Sequence, residues 1–455
     1  MTITTINPAT EEVLESIPLM GAMQIQRRIE KAADAYREFR HEPAGQRARW
    51  ISAAAELLEE GATRLASVIT TEMGKPIEEA EAEVHKCAWC CRYYAEHAPA
   101  FLRDEVVDTG EMESHVRYRP LGVLLAVMPW NFPFWQVFRF AVPALMAGNV
   151  VLLKHASNVP RCALTIEELF GRAGLPEGVF QTLLIDAGLV ANVLKSEHVA
   201  GATLTGSEAA GQSVAAIAGR EVKKTVLELG GSDPFIVMPS ADLNQAVSTG
   251  VRARIVNSGQ SCIAAKRFIL AEEIAAEFEG RFVQAFESLR VGNPINRDTQ
   301  VGPLATRQVL ETLDDQVHHS KAQGARVLTG GRRVPTRGYY YVPTVLADVP
   351  ESSPVYREEV FGPVAAMFRV RTVEEAIRLA NDTRFGLGAS VWTHDPDERA
   401  RFLDEIEAGA VFINSMVRSD PRLPFGGVKH SGYGRELGPF GIHEFVSLQT
   451  VSKAA

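Results

Sequence analysis

The chain has 455 residues, of which 46% are hydrophobic and 23% charged, and a formal net charge of −9. That length is too great for one compact core and predicts two or three subdomains, while the balance of residues excludes a disordered or fibrous chain. Isolated arginine pairs such as Arg27-Arg28 in a net-acidic chain exclude a nucleic-acid partner, and without an apolar run of roughly 20 residues or a signal-like start at Met1-Thr2-Ile3-Thr4-Thr5, no membrane span and a cytoplasmic location are expected.

Apolar residues at helical spacing predict helices over Ala22 to Phe39, Ala44 to Glu60 and Ala62 to Met73, followed by a long one from Ile77 to Leu102. The five cysteines (87, 90, 91, 162 and 262) are odd in number and too sparse for a disulfide framework, which suits a reducing compartment. Cys87-x-x-Cys90-Cys91 invites a redox or metal reading. Spacings of three and four place these thiols on one helical face, however, so burial in packing is expected and no metal site. Glu113 to Arg119 alternates like an exposed strand, and Glu444 to Val451 does so weakly; both read as oligomerisation elements.

From Gly122 the pattern changes. Short apolar runs at Gly122 to Met128, Asn149 to Leu153, Gly201 to Thr205 and Phe235 to Met238 alternate with helical segments, as βαβ units on a parallel sheet do. A second series follows at Arg267 to Leu270, Val364 to Val370, Ala389 to Trp392 and Ala410 to Ile413. Two α/β lobes are therefore predicted, with no internal repeat.

The sequence has no G-x-G-x-x-G, Walker A loop, H-E-x-x-H or G-x-S-x-G, so the common nucleotide, zincin and serine-hydrolase signatures are missing. Three segments remain. In Asn257-Ser258-Gly259-Gln260-Ser261-Cys262 a lone cysteine follows a glycine-containing turn, which suits an accessible nucleophile and equally a structural thiol. In Leu227-Glu228-Leu229-Gly230-Gly231 a carboxylate stands among apolar residues and beside two glycines. Burial there would raise its pKa toward that of a general base, whereas a solvent-facing strand residue would carry no such role. In Pro129-Trp130-Asn131-Phe132-Pro133 a rigidly framed amide could donate to a developing oxyanion.

With these segments the chain resembles the NAD(P)-dependent aldehyde dehydrogenase superfamily over nearly its whole length. The resemblance runs from Asn7-Pro8-Ala9-Thr10 through Glu72-Met73-Gly74-Lys75-Pro76, Leu204-Thr205-Gly206-Ser207, Glu359-Val360-Phe361-Gly362-Pro363 and Pro424-Phe425-Gly426-Gly427 to Ser431-Gly432-Tyr433-Gly434-Arg435-Glu436. It implies an α/β fold of two Rossmann-type lobes plus a small β oligomerisation element. Residues 1–228 would form the cofactor-binding domain, with 108–120 as oligomerisation strands; 229–425 would be catalytic, and 426–455 would return to the cofactor lobe and the oligomerisation sheet. A homodimer or dimer of dimers is implied.

The same resemblance makes Cys262 the nucleophile that forms a thioester, Glu228 the base that activates the hydrolytic water, and Asn131 the oxyanion donor. Trp130, Asn131, Gly206, Ser207, Leu229 and Glu359 would contact the cofactor. Val150 to Leu153 reads as a buried strand, so Lys154, His155, Ala156 and Ser157 leave its C-terminal end, where α/β sheets bind ligands. Members that prefer NAD usually carry Glu where Ser157 stands; Lys154 and Ser157 instead favour NADP.

Trp135 and Arg139, four apart on the following helix, would face the pocket. An arginine there suggests an anionic substrate gripped bidentately, with Ser419 as hydroxyl donor and Arg422 as a further cation; the alternative is an Arg139 paired with a core carboxylate. This pattern resembles the short, NADP-using bacterial succinate-semialdehyde dehydrogenases, with glutarate semialdehyde, one methylene longer, as the rival substrate. From other classes, a cofactor-independent cysteine acyltransferase or hydrolase would need a histidine such as His155 or His430 near Cys262. A non-enzymatic cofactor-binding protein would not need all three catalytic residue types.

Overall fold

The computed structural model describes residues 2–110 and 112–454; Met1, Glu111 and Ala455, at the edges of or within the predicted segments, lie outside the described residues. The chain opens with an antiparallel hairpin of β1 (Thr2–Asn7) and β2 (Glu12–Pro18), then four helices: α1 (Ala22–Phe39), α2 (Ala44–Glu60), α3 (Ala62–Met73) and α4 (Ile77–Phe101). In α4 the residues Ile77, Ala80, Val84, Cys87, Cys91, Tyr94 and Ala98 are all buried, an apolar stripe at spacings of three and four. Cys87, Cys90 and Cys91 are unpaired thiols within this packing, and burial raises each of them.

Two open sheets follow. The first contains β5 (Val123–Met128), β6 (Val150–His155), β7 (Phe180–Thr182), β8 (Val199–Thr205) and β9 (Lys224–Glu228), parallel throughout in the spatial order β9-β8-β5-β6-β7. Helices α5 (Trp135–Met146), α6 (Pro160–Arg172), α7 (Val190–Lys195) and α8 (Glu208–Arg220) connect these strands. The chain runs from β5 outward to β7 and then returns to the other side of β5. The C-terminal ends of β5 and β8 therefore flank the point where strand order reverses, the ligand-binding crevice of such sheets.

The second sheet takes β10 (Asp233–Val237), β11 (Ala265–Ala271), β12 (Arg326–Thr329), β13 (Thr344–Ala347), β14 (Val364–Val370), β15 (Gly388–Trp392) and β16 (Ala410–Ile413), in the order β12-β13-β14-β11-β10-β15-β16. All its pairings are parallel except β12 with β13. Helices α9 (Leu243–Ile255), α10 (Glu272–Glu287), α11 (Arg307–Ala322), α12 (Pro354–Arg357), α13 (Val373–Asn381) and α14 (Pro396–Glu405) accompany it. The C-terminal residues then return: β17 (Gly432–Tyr433) adds to β9 antiparallel, α15 (Gly438–His443) follows, and β18 (Val446–Lys453) pairs with β4 (Glu113–Pro120). A short β3 (Glu105–Asp108) completes that antiparallel sheet in the order β18-β4-β3. No helix of the described residues is long and apolar enough to cross a membrane.

One buried ion pair ties the helical layer to the first sheet. Lys75 and Glu83 are paired with almost no solvent exposure, and the Lys75 ammonium also lies 3.8 Å from the Phe132 ring centre. The other oxygen of Glu83 accepts from the N–H groups of Phe134 and Trp135, each at 2.9 Å, at the start of α5. Glu83 thus satisfies orphan donors at that helix start while neutralising a buried cation. Glu83→Ala removes both. Urea unfolding is expected to show a loss of about 3–5 kcal/mol, the cost of stranding a buried charge; a loss below about 1 kcal/mol, as for an exposed pair, would contradict this role.

Candidate active site

Between α9 and β11 the chain makes a turn that few sequences adopt. Asn257 and Ser258 both hold left-handed dihedrals, φ 53° and 55°, and Gly259 follows at φ 78°. Two successive non-glycine residues in this region cost about 1–3 kcal/mol each, so the surroundings must impose the shape. They do. Glu79 accepts from Asn257 N at 2.6 Å, Asn257 Nδ2 donates to Asn131 O at 2.6 Å, Gly302 N donates to Ser258 Oγ at 2.9 Å, and Ala305 N donates to Gln260 Oε1 at 2.8 Å. The fully buried Arg254 clamps Gly259 O at 2.7 Å and Gly362 O at 2.6 Å. A Cβ on Gly259 would stand 2.3 Å from Gly362 O, so only glycine passes this point.

The turn delivers Cys262 half-buried to the junction of two cavities, one of about 360 Å³ and one of about 200 Å³. Burial pushes its thiol up to about 12, with Arg139 and Lys266 drawing it down and Glu359 and Asp233 opposing them. A thiol held that high is neutral near pH 7. Lys266, buried behind it, donates to the carbonyls of Ser261, Cys262 and Ala264 at 3.0, 2.8 and 3.2 Å.

Asn131 lines the smaller cavity with Cys262, and its Nδ2 donates to Gln260 O at 3.2 Å, leaving a second N–H. Glu228, the last residue of β9, stands apart from both cavity walls. It is buried with neither carboxylate oxygen hydrogen-bonded, and the Cβ position of Gly426 is 2.8 Å from its Oε1. Burial raises it well above the ordinary carboxylate range; Arg139 opposes this, and Glu436 adds to it.

On the cofactor side, Trp130, Gly206, Ser207, Leu229 and Glu359 line the smaller cavity together with Cys262. Trp130 meets Phe361 edge to face at 5.6 Å, and Glu359 accepts from Gly231 N at 3.0 Å. Ser207 caps α8, accepting from Ala210 N at 3.3 Å, so the helix presents its N-terminus to the crevice. Lys154, at the end of β6, is buried and makes no ion pair among the described residues, while Ala156 and the exposed Ser157 continue from it. A cation in no direct ion pair, with Asp186 as the opposing charge that acts on it, a helix N-terminus and a cavity reaching Cys262 form a donor set suited to a phosphorylated dinucleotide. His155, the last residue of β6, has its ring already engaged. Its Nε2 bonds Pro133 O at 2.8 Å and its Nδ1 accepts from Ala156 N at 2.9 Å, so the ring is spent on the backbone.

On the substrate side, Trp135, Arg139 and Ser419 line the larger cavity as anticipated, joined by Lys86 and Phe425. Arg139, however, already has a protein carboxylate. It pairs with the buried Glu436, donates from Nη2 to Thr205 Oγ1 at 3.2 Å and stacks 4.8 Å over Phe425. This is the core-carboxylate alternative, so Arg139 is not a free bidentate fork. Arg422 is also corrected: it is exposed, bound to Asp420 at 2.7 Å and 5.4 Å from the Trp89 ring, away from the cavity. His430 pairs with Glu208 at 2.7 Å, and neither it nor His155 lines either cavity, which leaves a histidine-activated cysteine hydrolase without its base. Sequence reading missed Lys86, Lys266 and Glu436; the only signal for Lys86 is its place three residues after Glu83 on the same helix.

Residues 1–451 match the model of the aldehyde dehydrogenase family, and the chain belongs to that family. Its relatives narrow the comparison. It is 54% identical over 451 residues to a protein of Synechocystis sp. named probable succinate-semialdehyde dehydrogenase (NADP(+)), and 54% identical over 454 residues to succinate-semialdehyde dehydrogenase (NADP(+)) 1 of Mycobacterium tuberculosis, with 99% of each chain covered in both cases. Among solved structures, the succinic semialdehyde dehydrogenase of Streptococcus pyogenes in complex with NADP+ superposes with a TM-score of 0.97 at 36% identity over 100% of both chains.

The buried, unbonded Glu228 has a consequence for stability. A carboxyl whose folded pKa is raised contributes stability that is present in full below its unfolded pKa and lost as pH rises through the folded value. Glu228→Gln lacks that loss. Its unfolding free energy relative to wild type is expected to increase from mildly acidic toward alkaline pH and then level off; an advantage independent of pH, or a falling one, would contradict the assignment.

Proposed function

We propose that the enzyme oxidises succinate semialdehyde to succinate with NADP. The observation that carries this reading is Cys262 at the meeting point of a cation-lined cavity and a crevice that includes the N-terminal cap of α8, supported by the names of relatives more than half identical over the full length. We also propose a division into a cofactor-binding unit (1–228), a catalytic unit (229–425) and a returning C-terminal segment (426–455), which the separation of the two sheets and the path of β17 and β18 support.

In this mechanism the aldehyde enters the larger cavity, between Trp135 and Ser419, and its carbonyl reaches Cys262. The thiol passes its proton to solvent water in the open cavity as sulfur attacks the carbonyl carbon, and the uncommitted N–H of Asn131, with the backbone N–H of Cys262, holds the oxyanion. The carbon bound to Cys262 becomes a thioester on losing a hydride, which a bound nicotinamide would accept. Glu228, held in place by no hydrogen bond, then swings from Gly426 toward the thioester and takes a proton from the attacking water. It does so as the carboxylate, which burial makes a stronger base than an exposed one. Acid and free thiol are the products. Lys154, Ser157, Gly206 and Ser207 would hold the phosphates and the adenosine ribose, and Trp130, Leu229 and Glu359 the nicotinamide end.

We further infer a cytoplasmic enzyme that assembles as a homodimer or dimer of dimers through the β18-β4-β3 sheet, where Val106 and Leu448 expose apolar side chains on the surface. A panel of succinate semialdehyde, glutarate semialdehyde, acetaldehyde and benzaldehyde with NAD and NADP tests the reading. The highest kcat/KM is expected for succinate semialdehyde with NADP, and a neutral aldehyde as best substrate would overturn it. Glutarate semialdehyde should trail by about 1–3 kcal/mol of transition-state binding, the value of one methylene. Ser157→Glu should lower the NADP-to-NAD ratio of kcat/KM by about tenfold or more, equivalent to about 1.4 kcal/mol, because a carboxylate there repels the 2′-phosphate. An unmoved ratio would remove Ser157 from cofactor choice.

A further inference from the structure

The larger cavity beside Cys262 contains a cation that no carboxylate answers. Lys86 projects from α4 with its ammonium 4.4 Å from the Trp135 ring centre and 2.7 Å from Ser419 Oγ. The carboxylates around it are engaged elsewhere. Glu83 binds Lys75 and two backbone N–H groups, Glu79 accepts from Asn257 N, Glu436 holds Arg139, and Asp420 holds Arg422. Among the described residues none forms an ion pair with Lys86. An ammonium has three N–H donors, and only Ser419 accepts one; a half-buried cation in that condition favours the arrival of an anion.

We propose that Lys86 is a specificity-determining residue that receives the distal carboxylate of the substrate, with Trp135 as the floor and Ser419 as a neighbouring hydroxyl that orients the ammonium. The proposal rests on the reading of Cys262 as the nucleophile for an aldehyde that bears a carboxylate. It accounts for what Arg139 leaves open, since that guanidinium is matched by Glu436 before any substrate enters. A lysine contributes a point charge rather than a planar fork, so it tolerates carboxylates at slightly different distances.

The surroundings also give the site a pH dependence. Burial, and then the charge of Arg139 on α5, bring Lys86 down to about 8, with Cys87, Cys90 and Glu83 on its own helix opposing. Arg252 on α9, Arg418 beside Ser419, Glu79 and Cys262 are the other ionisable groups that line the cavity. Below about 8 the ammonium is charged and able to bind an anion; above it the charge is lost. Titration of Cys262 or Glu228 affects charged and neutral aldehydes alike and cancels in their ratio.

The test compares kcat/KM for succinate semialdehyde with that for butanal, a neutral aldehyde of the same carbon count, in wild type, Lys86→Met and Lys86→Arg. In Lys86→Met the ratio should fall about ten- to a hundredfold, the scale of a lost charged hydrogen bond, through KM rather than kcat. Lys86→Arg should recover most of it. The wild-type ratio should also decline as pH rises through about 8, and the Lys86→Arg ratio should not. A high wild-type ratio that survives Lys86→Met, or equal losses on both aldehydes, would overturn the role of Lys86. A wild-type ratio near one would instead overturn the anionic-substrate reading on which it rests.

Discussion

The site depends on a backbone shape that the chain would not adopt unaided. Asn257, Ser258 and Gly259 are held in the left-handed region by a carboxylate from α4, the clamp of Arg254 and a close approach to Gly362 that admits no side chain. Strain of this kind persists only where packing over-determines it. Here the restraints come from far apart in sequence. Glu79 belongs to the helical layer, Asn131 to the loop after β5, and Gly302, Ala305 and Gly362 to the half of the chain that builds the second sheet. Asn257 binds the backbone of Asn131, so the nucleophile's turn and the oxyanion donor are one construction. Glu83, on the same helix as Glu79 and paired with Lys75 from the preceding loop, fixes the start of α5 and with it Trp135 and Arg139.

Electrostatically the interior beside the cysteine is costly to maintain. Glu228 and Glu436 are both buried, both raised, and both within the influence of a single guanidinium, that of Arg139. Two carboxylates so close to one cation cannot both ionise without penalty, so they divide the roles: Glu436 anchors Arg139, and Glu228 is left unbonded with its proton affinity raised. A group left without partners is poorly placed for stability and well placed to move. The neutral thiol of Cys262 follows the same logic, because burial disfavours the thiolate and so lowers its reactivity.

Much of the architecture was legible in the sequence. Runs such as Val150 to Leu153 are buried on both faces, so continuous apolar stretches mark the parallel strands, and the helical stripe of α4 accounts for three cysteines that could have suggested chemistry. The exposed, four-residue β3 and the hairpin at the start carry no comparable pattern. At the site, Cys262, Asn131 and Glu228 came from local context and family resemblance. The partners that decide their behaviour did not. Arg139 and Glu436 meet only through the returning C-terminal segment, Lys86 looks like any solvated helix position, and the ring of His155 looks available until Pro133 O is seen to bind it. Asparagine and serine tolerate left-handed backbone, so the sequence before Cys262 permits the turn without specifying it.

The central claim is that aldehyde oxidation passes through a thioester on Cys262 that Glu228 is needed to clear. Rapid quenching of Glu228→Gln after mixing with succinate semialdehyde and NADP, followed by mass spectrometry of the digested protein, examines this directly. A succinyl adduct should accumulate on the peptide that contains Cys262, formed as fast as NADPH appears. NADPH production at wild-type steady-state rates with no adduct on that peptide, or an adduct on another residue, would contradict it.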